Sequence, residues 1–287
     1  MTSTATTALR SVLYVPGDKE RALHKLGTLA ADVYVIDLED AVAPDRKDTA
    51  RANTAAVLQG GTVPTAQLVV RVNGDAASQS ADLQALRGCT PRAVLLPKYE
   101  SHAQLAALRQ ALQQAGLPTS TQVWVMVETP IGIAQVAQLL AVDNGSYPLA
   151  AVVIGTNDIA RLTGTSMGEG RRYLLPWLAT VLIHAKAQHL AVLDGVYNDF
   201  SDTEGFAAEA RQGRDMGFDG KTLIHPSQVA PANASFAPSD AQVQWAQAVV
   251  AAFNQPENAS KGAIQIDGEM VERLHLEIAH RVLAATR

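Results

Sequence analysis

The 287-residue chain contains one cysteine, Cys89, no apolar run long enough for a membrane helix, and no run of lysine or arginine. A single thiol cannot form an intrachain disulfide framework or a cysteine-rich zinc site, and it fits a reducing, cytoplasmic location. Even Leu149–Ile154 falls well short of the roughly 18 apolar residues that a bilayer span needs, so no membrane partner is expected. The net charge of −5 and the lack of clustered positive charge leave no footprint for a phosphate backbone, so nucleic acid is not expected either. The dinucleotide fingerprint Gly-x-Gly-x-x-Gly is also missing. Residues 1–9 are rich in Thr and Ala but have no charged start followed by an apolar core. They read as a frayed tail rather than a signal peptide.

What is present is apolar and periodic. Hydrophobic residues make up 47% of the chain, enough to bury a large core. Eight short β-branched runs alternate with longer segments of helical period: Val12–Val15, Val33–Leu38, Leu68–Val72, Ala93–Leu96, Gln122–Val127, Ala150–Ile154, Ala191–Val196 and Lys221–Ile224. Continuously apolar strands are those buried on both faces, as in a parallel sheet wrapped by helices. Helices are expected at Lys19–Leu29, Lys47–Leu58, Ser101–Ala115, Ile131–Ala141 and Asp202–Met216, with Ser101 and Asp202 as N-caps and Gly116 and Gly217 as stops. Eight uninterrupted βα units predict an α/β fold, a (β/α)8 TIM barrel over residues 1–230. Residues 231–287 then form a C-terminal helical extension, with helices near Asp240–Phe253 and Met270–Ala285 joined by a Pro/Asn/Gly-rich connection.

Barrel enzymes carry their chemistry at the carboxyl ends of the strands. Glu128 and Asp158 follow neighbouring strands, and two close carboxylates repel unless a cation or proton lies between them. A hard cation, Mg2+ or Mn2+, suits such oxygen donors; the alternative is that each acid caps a helix or joins a salt bridge. Arg71 follows a buried strand, where a guanidinium needs a partner: either a substrate carboxylate or enolate oxygen, or a structural bridge to Asp37 or Glu39. Glu39 and Asp40 rank above Asp37 as residues that could bind water beside the cation. His225 and Lys98 each read equally as site or turn residues. Lys19, Arg21, Lys25, Arg171 and Arg172 read as solvated helix faces.

The strand ends also carry a run of motifs. They are Arg10-Ser-Val-Leu-Tyr-Val-Pro-Gly, Asp37-Leu-Glu-Asp-Ala-Val, Val70-Arg-Val-Asn, Leu96-Pro-Lys, Val127-Glu-Thr, Gly155-x-x-Asp158 and Asp194-x-Val-Tyr-x-Asp199, then Gly217-Phe-Asp-Gly-Lys, Ile224-His-Pro-Ser-Gln228 and Gly268-x-Met-Val271. Through them nearly the whole chain resembles the citrate lyase β-subunit-like and malyl-CoA lyase proteins of the pyruvate-aldolase superfamily. The resemblance implies a Mg2+-dependent carbon–carbon lyase that splits a β-hydroxyacyl-CoA thioester, such as citryl-, malyl- or citramalyl-CoA, into a 2-oxo acid and an acyl-CoA. It implies that Glu128 and Asp158 ligate the metal, Glu128 also meeting the substrate, and that Arg71 binds oxo-acid and thioester oxygens. It further implies a homo-oligomer, a trimer, whose tail covers a neighbour's barrel mouth. There the tail residue Glu272 acts as acid or base, where many lyases of the family have Asp. Two other departures are Asp18-Lys-Glu-Arg after Pro16-Gly17, where relatives commonly have Asn-Arg-Pro-Glu, and Asn157, where several have Glu. The competing readings are a metal-dependent aldolase that needs no CoA and a subunit of a larger lyase acting on a carrier-bound thioester.

Overall fold

The structure is a computed structural model describing residues 8–142, 145–258 and 260–284. The expected frayed tail lies outside the described residues except for its last two positions. The chain divides into two compact units, Met1–Ser235 and Phe236–Arg287.

In the first unit eight parallel strands close into a barrel, β8 returning to β1. They are β1 (Ser11–Pro16), β2 (Val33–Asp37), β3 (Leu68–Arg71), β4 (Ala93–Leu96), β5 (Gln122–Val127), β6 (Leu149–Ile154), β7 (Ala191–Asp194) and β8 (Gly220–Leu223). Each of the eight apolar runs supplies one of them. Side chains alternate along a strand, so one set fills the interior: Val12, Val35, Val69, Leu95, Trp124, Met126, Val153 and Leu193 pack there in one buried cluster. The same period continued upward brings Asp37, Arg71 and Glu128 to the top of that interior. At the opposite end Gly220 has no room for a side chain, because a Cβ would run into the Leu9 carbonyl.

Helix signals held where caps were explicit. Ser101 caps His102–Ala115 in a reciprocal box with Gln104, Asp202 caps Thr203–Met216, and Gly116 and Gly217 end these helices in left-handed conformation. Two expected helices are shorter than their pattern. Residues 19–29 give only Glu20–Leu23 and a 3-10 turn, Leu26–Thr28, while 130–140 break at Gln135 into Pro130–Ala134 and Val136–Leu140.

The second unit packs the helices Asp240–Phe253 and Arg273–Ala284 around Ala246, Val249, Phe253, Ile264, Val271 and Ala279. The expected terminal helix starts later than its pattern, because Ala263–Ile266 (β9) and Glu269–Glu272 (β10) form an antiparallel hairpin instead. Its two-residue turn, Asp267-Gly268, has both φ angles positive, which only residues such as these adopt cheaply. Ala285 lies outside the described residues. No helix among the described residues is long and apolar enough to cross a membrane.

Candidate active site

Arg71, the last residue of β3, is buried at the top of the barrel interior. Its Nε and Nη2 donate to the two oxygens of Asp37 at 2.7 and 2.6 Å, a two-pronged clamp across β2 and β3. Asp37 is fixed in turn by the Glu39 and Ala41 backbone N–H groups. Of the two partners open to Arg71 from sequence, the structural bridge is therefore occupied. Asp37, ranked below its neighbours, is the residue that orients the guanidinium. The remaining prong, Nη1, faces the Met126 sulfur at 3.8 Å and Glu39 Oε2 at 3.1 Å, and the guanidinium carbon lies over the Tyr14 ring, 5.0 Å from its centroid. Burial pulls the guanidinium pKa down, but Asp37 outweighs it and holds Arg71 firmly charged.

Glu39 is buried, and its Oε1 accepts from Lys98 Nζ at 2.6 Å. Its Oε2 has an ion-pair contact with Arg71 but no well-aligned hydrogen bond. Burial raises the Glu39 pKa against the opposing pull of Arg71 and Lys98. Asp40 is exposed at the rim, 3.5 Å from Lys98 Nζ. Lys98, undecided from sequence, is a site residue. It stands just beyond β4 in left-handed conformation, φ 49°, a posture that costs a non-glycine residue energy and recurs at functional sites. That posture aims its backbone N–H at Glu128 Oε1, 2.7 Å away. No periodicity signal reports such a backbone angle.

Glu128 directly follows β5 and is 1% exposed. Burial pushes its pKa up to about 8; Glu39 and Asp158 add to the rise, and the Lys98 N–H and Arg71 oppose it. Gly155, after β6, is what admits this side chain: a Cβ there would sit 2.4 Å from Glu128 Cβ and 2.6 Å from its Oε2. The expectation that Asp158 ends a strand needs correction. It lies four residues beyond β6, in the first turn of the helix Thr156–Thr163, where the helix dipole favours a carboxylate. Arg161 holds its Oδ1 at 2.5 and 3.2 Å. Beside it, Asn157 and Asn198 exchange a reciprocal pair of amide hydrogen bonds at 3.0 and 2.8 Å that ties the β6 and β7 loops together. No group of three or more His, Cys, Asp or Glu suited to a metal occurs among the described residues. Glu128 and Asp158, whose charges act on each other, are the carboxylate pair that the sequence singles out for a cation. A cleft of about 400 Å3 bounded by Glu39, Asp40, Asn73, Asp75, Lys98 and Glu100 shares Lys98 with Glu128.

The structure also places three other residues singled out from the sequence. Arg171 is not a solvated helix residue. It is 1% exposed and donates to Asp194 at 2.6 Å, while fully buried Lys221 bridges Asp194 and Glu209 at 3.1 and 2.8 Å. Burial alone would raise the Asp194 pKa, yet Lys221 and Arg171 hold it below the usual carboxylate range. His225 finishes its strand: Nδ1 lies 2.8 Å from the Ser227 hydroxyl, and the ring stacks on Phe200. Glu272 closes β10 in the second unit, its backbone N–H donating to His275 Nδ1 at 2.9 Å.

Residues 10–226 match the HpcH/HpaI aldolase/citrate lyase family. The chain is 43% identical to a (3S)-malyl-CoA thioesterase of Cereibacter sphaeroides over 96% of its own length and 93% of the relative's. It is 31% identical to the mitochondrial citramalyl-CoA lyase of Homo sapiens, covering 92% of this chain and 81% of that one. Among solved structures it is similar to the protein CitE from Mycobacterium tuberculosis in complex with magnesium, acetoacetate and coenzyme A, with a TM-score of 0.77, 31% identity and coverage of 98% and 100%. With the closed eight-stranded barrel and the matched residues spanning most of it, the chain belongs to the HpcH/HpaI aldolase/citrate lyase family.

Proposed function

We propose that this protein is a Mg2+-dependent lyase that cleaves, or in reverse forms, the carbon–carbon bond of a β-hydroxyacyl-CoA thioester. The substrate class is malyl-, citramalyl- or citryl-CoA, and the products are a 2-oxo acid and an acyl-CoA. The observation that carries this reading is the buried Glu128 carboxylate at the barrel mouth. One of its oxygens is held by a neutral N–H, and the side chain packs against Gly155, where any Cβ would displace it.

This carboxylate, with Asp158 from the next βα loop, suits a hard divalent cation: oxygen donors only, and two carboxylates that repel without one. Mn2+ would suit the same donors. When bound, the cation would act as a Lewis acid on the oxygens of the oxo-acid portion. Arg71 is already locked in place by Asp37, so its Nη1 stands preorganised for charge that develops on the thioester oxygen as the carbon–carbon bond breaks. Bond cleavage moves the electron pair onto that oxygen as an enolate, while the Glu272 carboxylate takes the hydroxyl proton from the fragment that becomes the 2-oxo acid. Glu39 and Asp40 accept hydrogen bonds from water at the mouth, with Lys98 fixing Glu39. Glu272 is assigned the proton that returns to the enolate carbon. It would be delivered from the 231–287 extension of a neighbouring copy in a homotrimer, acting as a lid on the 1–230 barrel.

A second reading, hydrolysis of the same thioester, is favoured by the 43% identity to malyl-CoA thioesterases. One assay separates them. Purified chain with Mg2+ is incubated with each of the three thioesters while 2-oxo acid and free thiol are followed together. The lyase reading expects oxo acid and acyl-CoA with no thiol. Thiol without oxo acid would replace it by hydrolysis, and neither product would refute both.

A further inference from the structure

We propose that Arg161 competes with a divalent cation for the Asp158 carboxylate, so that Arg161 sets the cation affinity of the site. This rests on the reading that Glu128 and Asp158 hold the cation.

Three of the cationic side chains at the mouth differ in how they are held. Arg71 is buried and clamped by both oxygens of Asp37, and Lys98 is shared between Glu39 and Asp40. Arg161 lies one helical turn beyond Asp158, with its side chain 66% exposed, and aims both Nε and Nη2 at the single oxygen Oδ1. Two N–H bonds on Oδ1 use the lone pairs of that oxygen and leave an incoming cation only Oδ2. A guanidinium within ion-pair distance of the carboxylate also repels that cation. Glu128 has no such competitor at Oε1, whose partner is an uncharged N–H. Release is easy because an exposed Arg–Asp pair one turn apart on a helix is weak and its long side chain regains freedom in water. Arg161 thus orients Asp158 and competes with a cation for it.

The test is Mn2+ binding, read as the loss of the free-ion electron paramagnetic resonance signal, on the full chain and on Arg161→Gln, Arg161→Lys and Glu128→Gln. The expected result is that Arg161→Gln binds Mn2+ roughly threefold to tenfold more tightly. Arg161→Lys, which keeps a charge but loses the fork, should fall between it and the wild type. If Arg161 only staples a helix turn, Arg161→Gln would lower the melting temperature of the cation-free protein and leave affinity unchanged or weaker, which would overturn the proposal. Should the wild type show no saturable site, or should Glu128→Gln bind as well as the wild type, the cation reading itself fails and the proposal with it.

Discussion

Gly155→Ala is the substitution whose effect follows most directly from the coordinates. Gly155 has φ −93° and ψ 78°, so alanine meets no left-handed strain there and only space decides the outcome. The added Cβ would lie 2.4 Å from Glu128 Cβ, 2.6 Å from its Oε2 and 3.1 Å from Met126 Cε. Ordinary contact begins near 3.4 Å, so Glu128 must retreat by about 1 Å, and because its Cβ is fixed to the backbone the chain after β5 must move with it. Glu128 is 1% exposed and tied to the Lys98 N–H, so it cannot swing into solvent. Overpacking of this kind costs about 1–3 kcal/mol in stability. A displacement approaching 1 Å at a reacting centre costs on the order of 10²-fold in rate. The expected outcome is a folded protein, shown by urea denaturation with a modest loss of stability, whose Mn2+ affinity and turnover fall by one to two orders of magnitude. Wild-type cation affinity in a folded Gly155→Ala protein would refute the placement of Glu128 as a ligand.

Other outcomes follow from the same geometry. Arg71→Lys keeps a charge but cannot span both Asp37 oxygens, so kcat should drop by roughly 10²-fold, the magnitude seen when one preorganised donor is removed; unchanged steady-state kinetics would reject the role. Asp194→Asn leaves buried Arg171 and Lys221 short of a counter-charge and should cost about 3–5 kcal/mol in denaturant unfolding, far more than a surface change. Glu128 sets the pH response. With its pKa raised from 4.5 to about 8 in the cation-free protein, the folded chain keeps a proton that the unfolded chain has lost between those values. Its contribution to stability is therefore present below the lower value and is lost as pH rises through about 8. Cation binding must displace that proton, so Mn2+ affinity measured across about pH 6 to 9 should fall by up to about tenfold per unit below pH 8 and level off above it.

The barrel was legible because its strands are buried on both faces and so read as uninterrupted apolar runs, Val69-Val70 and Val152-Val153 among them. Residue types at strand ends also pointed to the mouth, where Arg71, Glu39 and Glu128 meet. What sequence could not decide was pairing. Arg71 beside a buried strand needs an anion, and whether Asp37 or a substrate supplies it depends on register between β2 and β3, where Asp37 and Arg71 stand opposite each other. Lys98 entered the site through a backbone angle, and Arg171 through a loop with three successive positive φ values, neither of which leaves a periodic trace. The hairpin of the second unit was legible in principle. Asp267-Gly268 between two short β-capable runs is a two-residue turn signal, overlooked because Met270 and Val271 also continue a helical pattern.

The most direct test of the central claim is a crystal soaked in Mn2+ and measured for anomalous scattering. A peak roughly 2.1 Å from carboxylate oxygens of both Glu128 and Asp158, with Arg161 turned away, is the expected result. A peak confined to the cleft among Asp40, Asp75 and Glu100, or no peak at all at saturating Mn2+, would contradict a cation-dependent lyase centred on Glu128.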